Sequence, residues 1–383
     1  MDQDKVQIIG AGIGGLTLAN ALEQRGISVS LFERASEIRA VGAGIILPPN
    51  AIEIFEALGL SDAIRECGQA VERYCIKSQK GKTFNQLYVT KTSRLPAVAI
   101  SRHYLHQILA SAITPSAIKL GHALDTLNPL ERLAEFDNGH KQHYHILVGA
   151  DGIRSKVRDC VFGQTPLRDA NQACFRGLVT VENLGELSSQ FYELWGSGSR
   201  FGFVQVNQSQ FYWYATFSKQ GHAFSPCQPI LEQLQHYFKD WWWPVSRLLK
   251  AQAADTMIET PLLDRKPASQ WYSNAGVVLL GDAIHPTTPN LGQGAAMAIE
   301  SAYSLADVIA NNLASPDFSI YQAQRQKRTT MINRQSWMIG RMANITNPLL
   351  CGLRDLAMDL TTDKVATDQY RRMVNWLPAS LAK

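Results

Sequence analysis

Short apolar runs alternate with helical periodicity along most of the chain, and one stretch in the middle breaks that rhythm. Val6 to Ile9 is an apolar run that enters glycines, the pattern of a buried parallel strand. Leu16 to Gln24 has helical composition, and Gly26 stops it. Ile27 to Glu33 alternates and ends on a carboxylate, so this region predicts a βαβ unit. Residues 71–90 predict a hairpin around Gln79-Lys80-Gly81, and Ser101 predicts the cap of a helix running to about Ala112. His143 to Val148 predicts a further strand, entering a turn at Asp151-Gly152.

From about Cys174 to Phe217 the pattern changes. Phe191–Trp195, Phe201–Val206 and Phe211–Phe217 are aromatic-rich runs that predict a mixed or antiparallel sheet. Val277 to Leu280 returns to a buried strand. A helix from about Gly292 to Asn311 carries Ala295, Ile299, Ala302, Leu305, Ala306 and Ile309 at helical spacing. The remainder is helical, interrupted at Pro348. A nucleotide-binding fold built from both ends of the chain, with a sheet inserted in it, accounts for this order.

Composition changes the picture little. The 383 residues are 45% hydrophobic and 18% charged, ample for a large core, and the net charge is +4. Lys and Arg are scattered. The dense groups, Arg325 to Arg328 and Arg371-Arg372, read as solvated helix faces, and no nucleic-acid partner is expected. None of the six cysteines has CxxC or zinc-ligand spacing, so free thiols in a reducing cytoplasm and no metal site are expected. The start, with Asp2, Asp4 and Lys5, lacks the basic region of a signal peptide. No apolar run approaches the roughly 20 residues of a membrane span.

The chemistry lies in the turns. Gly10, Gly12, Gly14 and Gly15 form a glycine loop between strand and helix. Gly10 permits the sharp turn, Gly12 a close approach to a pyrophosphate, and Gly15 close helix–strand packing. Glu33 stands where a carboxylate binds adenosine ribose hydroxyls and disfavours a 2′-phosphate; Arg34, next in the chain, joins the candidate contacts. This segment alone fits NAD as well as FAD. The distal stretch Gly281-Asp282 through Pro289, Gly292, Gly294 and Ala295 points to FAD: Asp282 suits a ribityl hydroxyl, and a helix starting at small residues can aim its positive end at a flat flavin ring. His285 has no partner at metal spacing and reads as structural or flavin-contacting. No second dinucleotide fingerprint and no CxxxxC pair occur, which argues against disulfide reductases and Baeyer–Villiger-type flavoproteins. The run Asp240-Trp-Trp-Trp243-Pro244 is not the spaced tryptophan motif of flavin halogenases and reads as core or interface.

The set GxGxxG at Gly10–Gly15, Asp151-Gly152 and Gly281-Asp282, in this order, resembles the single-component flavoprotein aromatic hydroxylases, which include salicylate, 3-hydroxybenzoate and urate hydroxylases. The likeness covers about residues 5–345. Glu33–Arg39, Trp195–Gln205, Thr288–Met297 and Gln335–Arg341 look most like the quinolone 3-monooxygenases that make 2-heptyl-3-hydroxy-4-quinolone. The resemblance implies an α/β fold: a Rossmann-like, glutathione-reductase-type FAD-binding domain (residues 1–75, 97–172 and 273–345), an inserted mixed-sheet substrate domain (76–96 and 173–272) and a C-terminal helical segment (346–383). It implies FAD, with NADH or NADPH as a transient co-substrate, and O2 insertion through a flavin C4a-hydroperoxide. Further FAD contacts it implies are Arg102, Ile46 by its backbone after Gly42–Gly44, and Leu124 near the adenosine. Arg200 and Tyr212 match the substrate-binding Arg and Tyr of urate hydroxylase by spacing. That enzyme has Asp where this chain has Asn290, which counts against a urate-like substrate. A two-residue turn at Gln208-Ser209 places Arg200 and Tyr212 on opposite sheet faces, and a three-residue turn brings them together.

The expected activity is therefore hydroxylation of a small, lipophilic aromatic or heteroaromatic substrate of the 2-alkyl-4-quinolone kind. The alternatives are a phenolic-acid hydroxylase of the same family, a flavin oxidase or reductase without oxygen insertion, and a non-catalytic flavin-binding protein. Residues 331–353 carry an apolar stripe that suits core, a dimer face, or a wall for a greasy ligand. Either monomer or homodimer is compatible with the sequence.

Overall fold

The computed structural model describes residues 6–38, 43–182, 184 and 187–381. Asp2, Asp4, Lys5, Arg39 and Gly42 lie outside them. At the centre is a five-stranded parallel sheet in the order Val277–Leu279, Ile146–Gly149, Val6–Ile9, Val29–Phe32, Ile118–Lys119. Its strands are apolar on both faces because both are covered. The helices Ile13–Gln24 and Gly294–Asn311 pack against each other there. The two ends of the chain thus build one sheet, as the glycine loops required.

The expected strand from His143 to Val148 is divided. Lys141–His143 pairs with Leu133–Phe136 in a separate antiparallel sheet, while Ile146–Gly149 enters the parallel one. Between them Tyr144 is buried and its N–H donates to the Arg132 carbonyl at 3.0 Å, which turns the chain from one sheet to the other.

The inserted layer is a seven-stranded mixed sheet, in the order Ile258–Asp264, Arg168–Thr180, Gln210–Ser218, Ser199–Gln205, Gln190–Trp195, Arg73–Ser78, Thr83–Tyr88. Only Gln190–Trp195 with Arg73–Ser78 is a parallel pair. One face buries Phe175, Phe201, Phe203, Trp213 and Phe217 under helices Ile230–Tyr237 and Trp243–Ala251; Trp241 and Trp242 pack into the same core. The hairpin ending Ser199–Gln205 has a three-residue loop, because Val206 N–H donates to Gln210 O at 2.9 Å. Asn207 Oδ1 fixes that loop by accepting from the Ser209 and Gln210 amides at 3.1 and 2.9 Å. Arg200 and Tyr212 therefore share the opposite, central-domain face.

The C-terminal helices run Pro348–Leu360 and Asp363–Val374, with Pro348 at the first helical position rather than breaking one. The last helix covers the sheet edge: Asp363 and Thr367 side chains accept from the Gln86 and Tyr88 amides of the outer strand. One expectation fails here. Arg325 and Arg328 are not solvated: both are buried and pair with Glu300, at 2.5 and 2.7 Å. Trp376 lies over the Arg325 guanidinium at 3.9 Å. A buried carboxylate needs charge partners, and the helix supplies two one turn apart. Arg371 and Arg372 are exposed, as expected.

Candidate active site

The C-terminal ends of the parallel strands carry the glycine loop. Gly10 has φ +109°, and a side chain there would meet the Ala150 carbonyl oxygen at 2.5 Å. A Cβ on Gly15 would lie 2.0 Å from the Gly10 carbonyl oxygen, so helix and strand touch through it. Gly12, the N-cap of helix Ile13–Gln24, has open space above it: a Cβ meets nothing within 4 Å. Gly14 faces the second long helix, 3.4 Å from Ala298 Cβ. Glu33 sits beside the loop and braces it, accepting from Ala11 N–H at 2.8 Å and Ala35 N–H at 3.0 Å. Arg34 is exposed on the adjacent turn. The Glu33 carbonyl accepts from His122 N–H, which brings Leu124, at the start of its strand, to this end of the sheet.

The Asp151-Gly152 turn is a brace. Asp151 Oδ2 accepts from the Lys156 and Val157 amides, starting a short helix, while its Oδ1 is buried without a partner. Arg158 on that helix is buried and donates to the Ile153 and Ala283 carbonyls at 3.2 and 3.1 Å. It ties this turn to the Gly281-Asp282 turn, a link that sequence spacing did not reveal.

Asp282 follows the strand Val277–Leu279. Its carboxyl keeps accessible surface yet is enclosed by protein, so it lines an internal cleft rather than the outer surface. Burial pushes its pKa up to about 6, against the pull of the nearby Arg102 guanidinium. Arg102 opens the helix capped by Ser101, and its N–H donates to Ala43 O. Burial and the like charge of Arg176 depress its pKa; Tyr212 and Asp282 oppose that. Beyond Asp282, Pro289–Leu291 forms a single 3-10 turn and Gly292 takes φ +64° with open space above it. Helix Gly294–Asn311 then begins with Gly294 and Ala295 at its N-terminus. His285 faces away into the core: its Nε2 is 3.0 Å from Ser301 Oγ, and burial lowers its pKa to about 3, keeping it neutral.

The sheet supplies the other wall. Tyr212 lies directly on the strand Gly44–Leu47: a Cβ on Gly44 would be 2.3 Å from Tyr212 Cβ. Ile46 is on that strand, paired with Ala99. Tyr212 also neighbours Arg176 and Arg102, so one candidate substrate residue stands with the candidate flavin contacts. Arg200 is on the same face four residues along, about 13 Å away at the strand rise. It is buried. Nη1 donates to Glu193 Oε1 at 3.2 Å and Nη2 to Asn290 Oδ1; Nε has no partner. Glu193 also accepts from Tyr214 OH and from Trp195 Nε1 at 2.8 Å. Burial, then the Glu193 charge, drives the Tyr214 phenol well above its ordinary range. Thr216, the cross-strand neighbour of Arg200, also has a buried hydroxyl without a partner. Glu193, Tyr214 and Arg176 escaped the sequence reading. Their alternation with Arg200 and Tyr212 was visible, but the strand pairing that aligns them was not.

The open floor over Gly12 and Gly292, the glycines whose side chains would close the loop, and an enclosed carboxylate at Asp282 fit a dinucleotide laid from Glu33 to the cleft. The comparisons agree. Residues 3–336 match the family model described as "FAD binding domain". The aurachin C monooxygenase/isomerase of Stigmatella aurantiaca is 32% identical over 379 residues, covering 97% of this chain and 98% of that protein. The 2-heptyl-3-hydroxy-4(1H)-quinolone synthase of Pseudomonas aeruginosa strain UCBPP-PA14 is 33% identical, covering 96% and 97%. The crystal structure of Klebsiella pneumoniae HpxO with FAD and uric acid superposes with a TM-score of 0.87 at 25% identity, covering 97% of this chain and 96% of that one. With its two glycine loops on one parallel sheet, the chain belongs to the FAD-binding-domain family and is an FAD-dependent monooxygenase.

Proposed function

We propose that this enzyme hydroxylates a neutral, lipophilic heteroaromatic substrate of the 2-alkyl-4-quinolone class with NAD(P)H and O2. The observation that carries this reading is the neutralised arginine. Glu193 takes up the charge of Arg200 and Asn290 occupies its other Nη, so the buried arginine presents no free cation to an anionic substrate. A neutral ring suits a charge-compensated site of this kind, and a carboxylate does not. The activities of the aurachin and quinolone relatives support it, as does the apolar lining that Leu178, Val204 and Phe191 add to the same face.

When bound, FAD supplies the two-electron chemistry that activates O2 for insertion of one oxygen atom into the ring. This chain's part is positioning and electrostatics. Gly12 admits the pyrophosphate, and Glu33 would hold the ribose. Asp282 would accept from a ribityl hydroxyl. The N-terminus at Gly294 favours negative charge gathering near it. Tyr212 and the charge-paired Arg200 would position the substrate between flavin and sheet, and the apolar Leu178, Val204 and Phe191 on that same face would exclude water that diverts the oxygen to peroxide. Six free thiols suit a cytoplasmic setting.

Purified enzyme given 2-heptyl-4-quinolone and NAD(P)H should give a product heavier by one oxygen atom, with NAD(P)H oxidised in step. Turnover of salicylate or benzoates with no quinolone product rejects the substrate class. Oxidation of NAD(P)H without any oxygenated product favours the oxidase alternative.

A further inference from the structure

The helix Pro348–Leu360 is mounted with its apolar side outward. Leu349, Leu353, Leu356 and Leu360 recur at helical spacing on one stripe, and they are 80%, 63%, 53% and 72% exposed. The opposite side holds the helix to the protein. Arg354 is buried there and donates to the Gly196 carbonyl at 3.0 Å, and Asn85 donates to the Met358 carbonyl. A second exposed stripe precedes it in the chain, separated from it by the four residues 344–347. The preceding helix, Phe318–Ala343, contains no Asp or Glu. Its exposed side carries Lys327, Arg334 and Arg341, spaced by seven residues, with Met331 and Met338 in the same stripe. Among the described residues none of these three cations has an ion-pair partner. The apolar stripe expected in residues 331–353 is thus divided: Ile332 enters the core, whereas Met331, Met338 and Leu349 face outward and do not wall the substrate cleft.

We propose that this face docks on an anionic phospholipid surface. Exposed leucines at helical spacing lower their free energy by entering the acyl boundary of a bilayer, and the unpaired cations of the preceding helix would meet lipid phosphates. Charge selects this occupant over a second copy of the chain. An isologous contact through this stripe would bring together two cationic helix faces that hold no Asp or Glu, whereas anionic headgroups neutralise them. The attachment is peripheral: among the described residues no helix is long and apolar enough to cross a membrane. It is independent of which ring the enzyme hydroxylates.

The test is co-sedimentation of the FAD-loaded, full-length protein with vesicles of phosphatidylglycerol and phosphatidylcholine, against phosphatidylcholine alone. Partitioning should be on the order of tenfold stronger onto the anionic vesicles and should weaken with salt. L353E/L356E should abolish it, and R334E/R341E should remove most of it, with flavin content and vesicle-free NAD(P)H oxidation unchanged. The second variant alters only exposed side chains, so it decides the matter alone if the first fails to fold. Absence of wild-type sedimentation, or both variants binding like wild type, overturns the proposal. So does a stable solution dimer that L353E/L356E splits into monomers, which assigns the face to self-association.

Discussion

Arg200 and Glu193 form a buried ion pair at 3.2 Å on the cleft face of the inserted sheet, one strand apart. The pair is held from both ends, by Asn290 on the arginine and by Tyr214 and Trp195 on the carboxylate. A substrate that meets this arginine meets a saturated charge.

Glu193→Gln should free that charge. The amide keeps the shape and an acceptor oxygen, but the guanidinium is left uncompensated. We expect salicylate to bind more tightly than to wild type, on the order of tenfold, and neutral quinolones no better. Titration monitored by the flavin absorbance measures both. Glu193→Ala, which removes the partner outright, should cost about 3–5 kcal/mol of stability. Unchanged salicylate affinity in a folded, yellow Glu193→Gln protein would refute the neutralised-arginine argument.

The glycine loop separates folding from cofactor binding. Gly12→Val adds a side chain into open space, so the apoprotein should fold with a near-wild-type melting temperature yet purify colourless. Gly15→Ala drives a methyl group to 2.0 Å from the Gly10 carbonyl oxygen, so the helix must lift from the strand and the fold itself should weaken. Circular dichroism melts and the flavin content of the two purified proteins distinguish the cases. Equal melting temperatures with equal flavin loss would remove the distinction.

These glycines were legible in the sequence because their roles are set locally, by a turn and the strand and helix it joins. The strand–helix order, the aromatic sheet and the capping Ser101 were legible for the same reason. Arg325 and Arg328 were not, since nothing near them in sequence announces the Glu300 carboxylate across a helix interface. Glu193 escaped for a similar cause: its partners Arg200 and Tyr214 come from two other strands, and only strand register brings them together. The outward leucines of Pro348–Leu360 have helical periodicity either way. The pattern gives the stripe, and tertiary packing decides which way it faces.

Asn290→Asp tests the loop end of the network. Asn290 Nδ2 now donates to Thr288 Oγ1 and to the Ser336 carbonyl, each at 3.0 Å. A carboxylate oxygen in that place faces the Ser336 carbonyl as a second acceptor, which should cost on the order of 1–3 kcal/mol. It also gives Arg200 a second anion. The melting temperature should fall, and turnover should not shift toward anionic rings. A variant as stable as wild type that hydroxylates urate would contradict the hydrogen-bond assignment.

Asp282 makes flavin retention pH-dependent, with a sign fixed by its environment. Its folded pKa is about 6, above the ordinary 3.8, because burial disfavours the carboxylate. In the apoprotein the folded state therefore binds a proton that the unfolded chain releases between those values. From this group the apoprotein gains stability as pH falls through 6 toward 4 and loses it as pH rises. FAD reverses the preference. A ribityl hydroxyl donating to Asp282 stabilises the charged form, so protonation competes with the cofactor, and FAD affinity should fall as pH drops below about 6. Equilibrium dialysis of FAD from pH 8 to pH 5 reads the first effect, and apoprotein melts over the same range read the second. Asp282→Asn should bind FAD more weakly throughout and flatten both profiles near pH 6. If the wild-type affinity is constant across that range, or the asparagine variant keeps the same break, Asp282 is not the group that holds the ribityl chain.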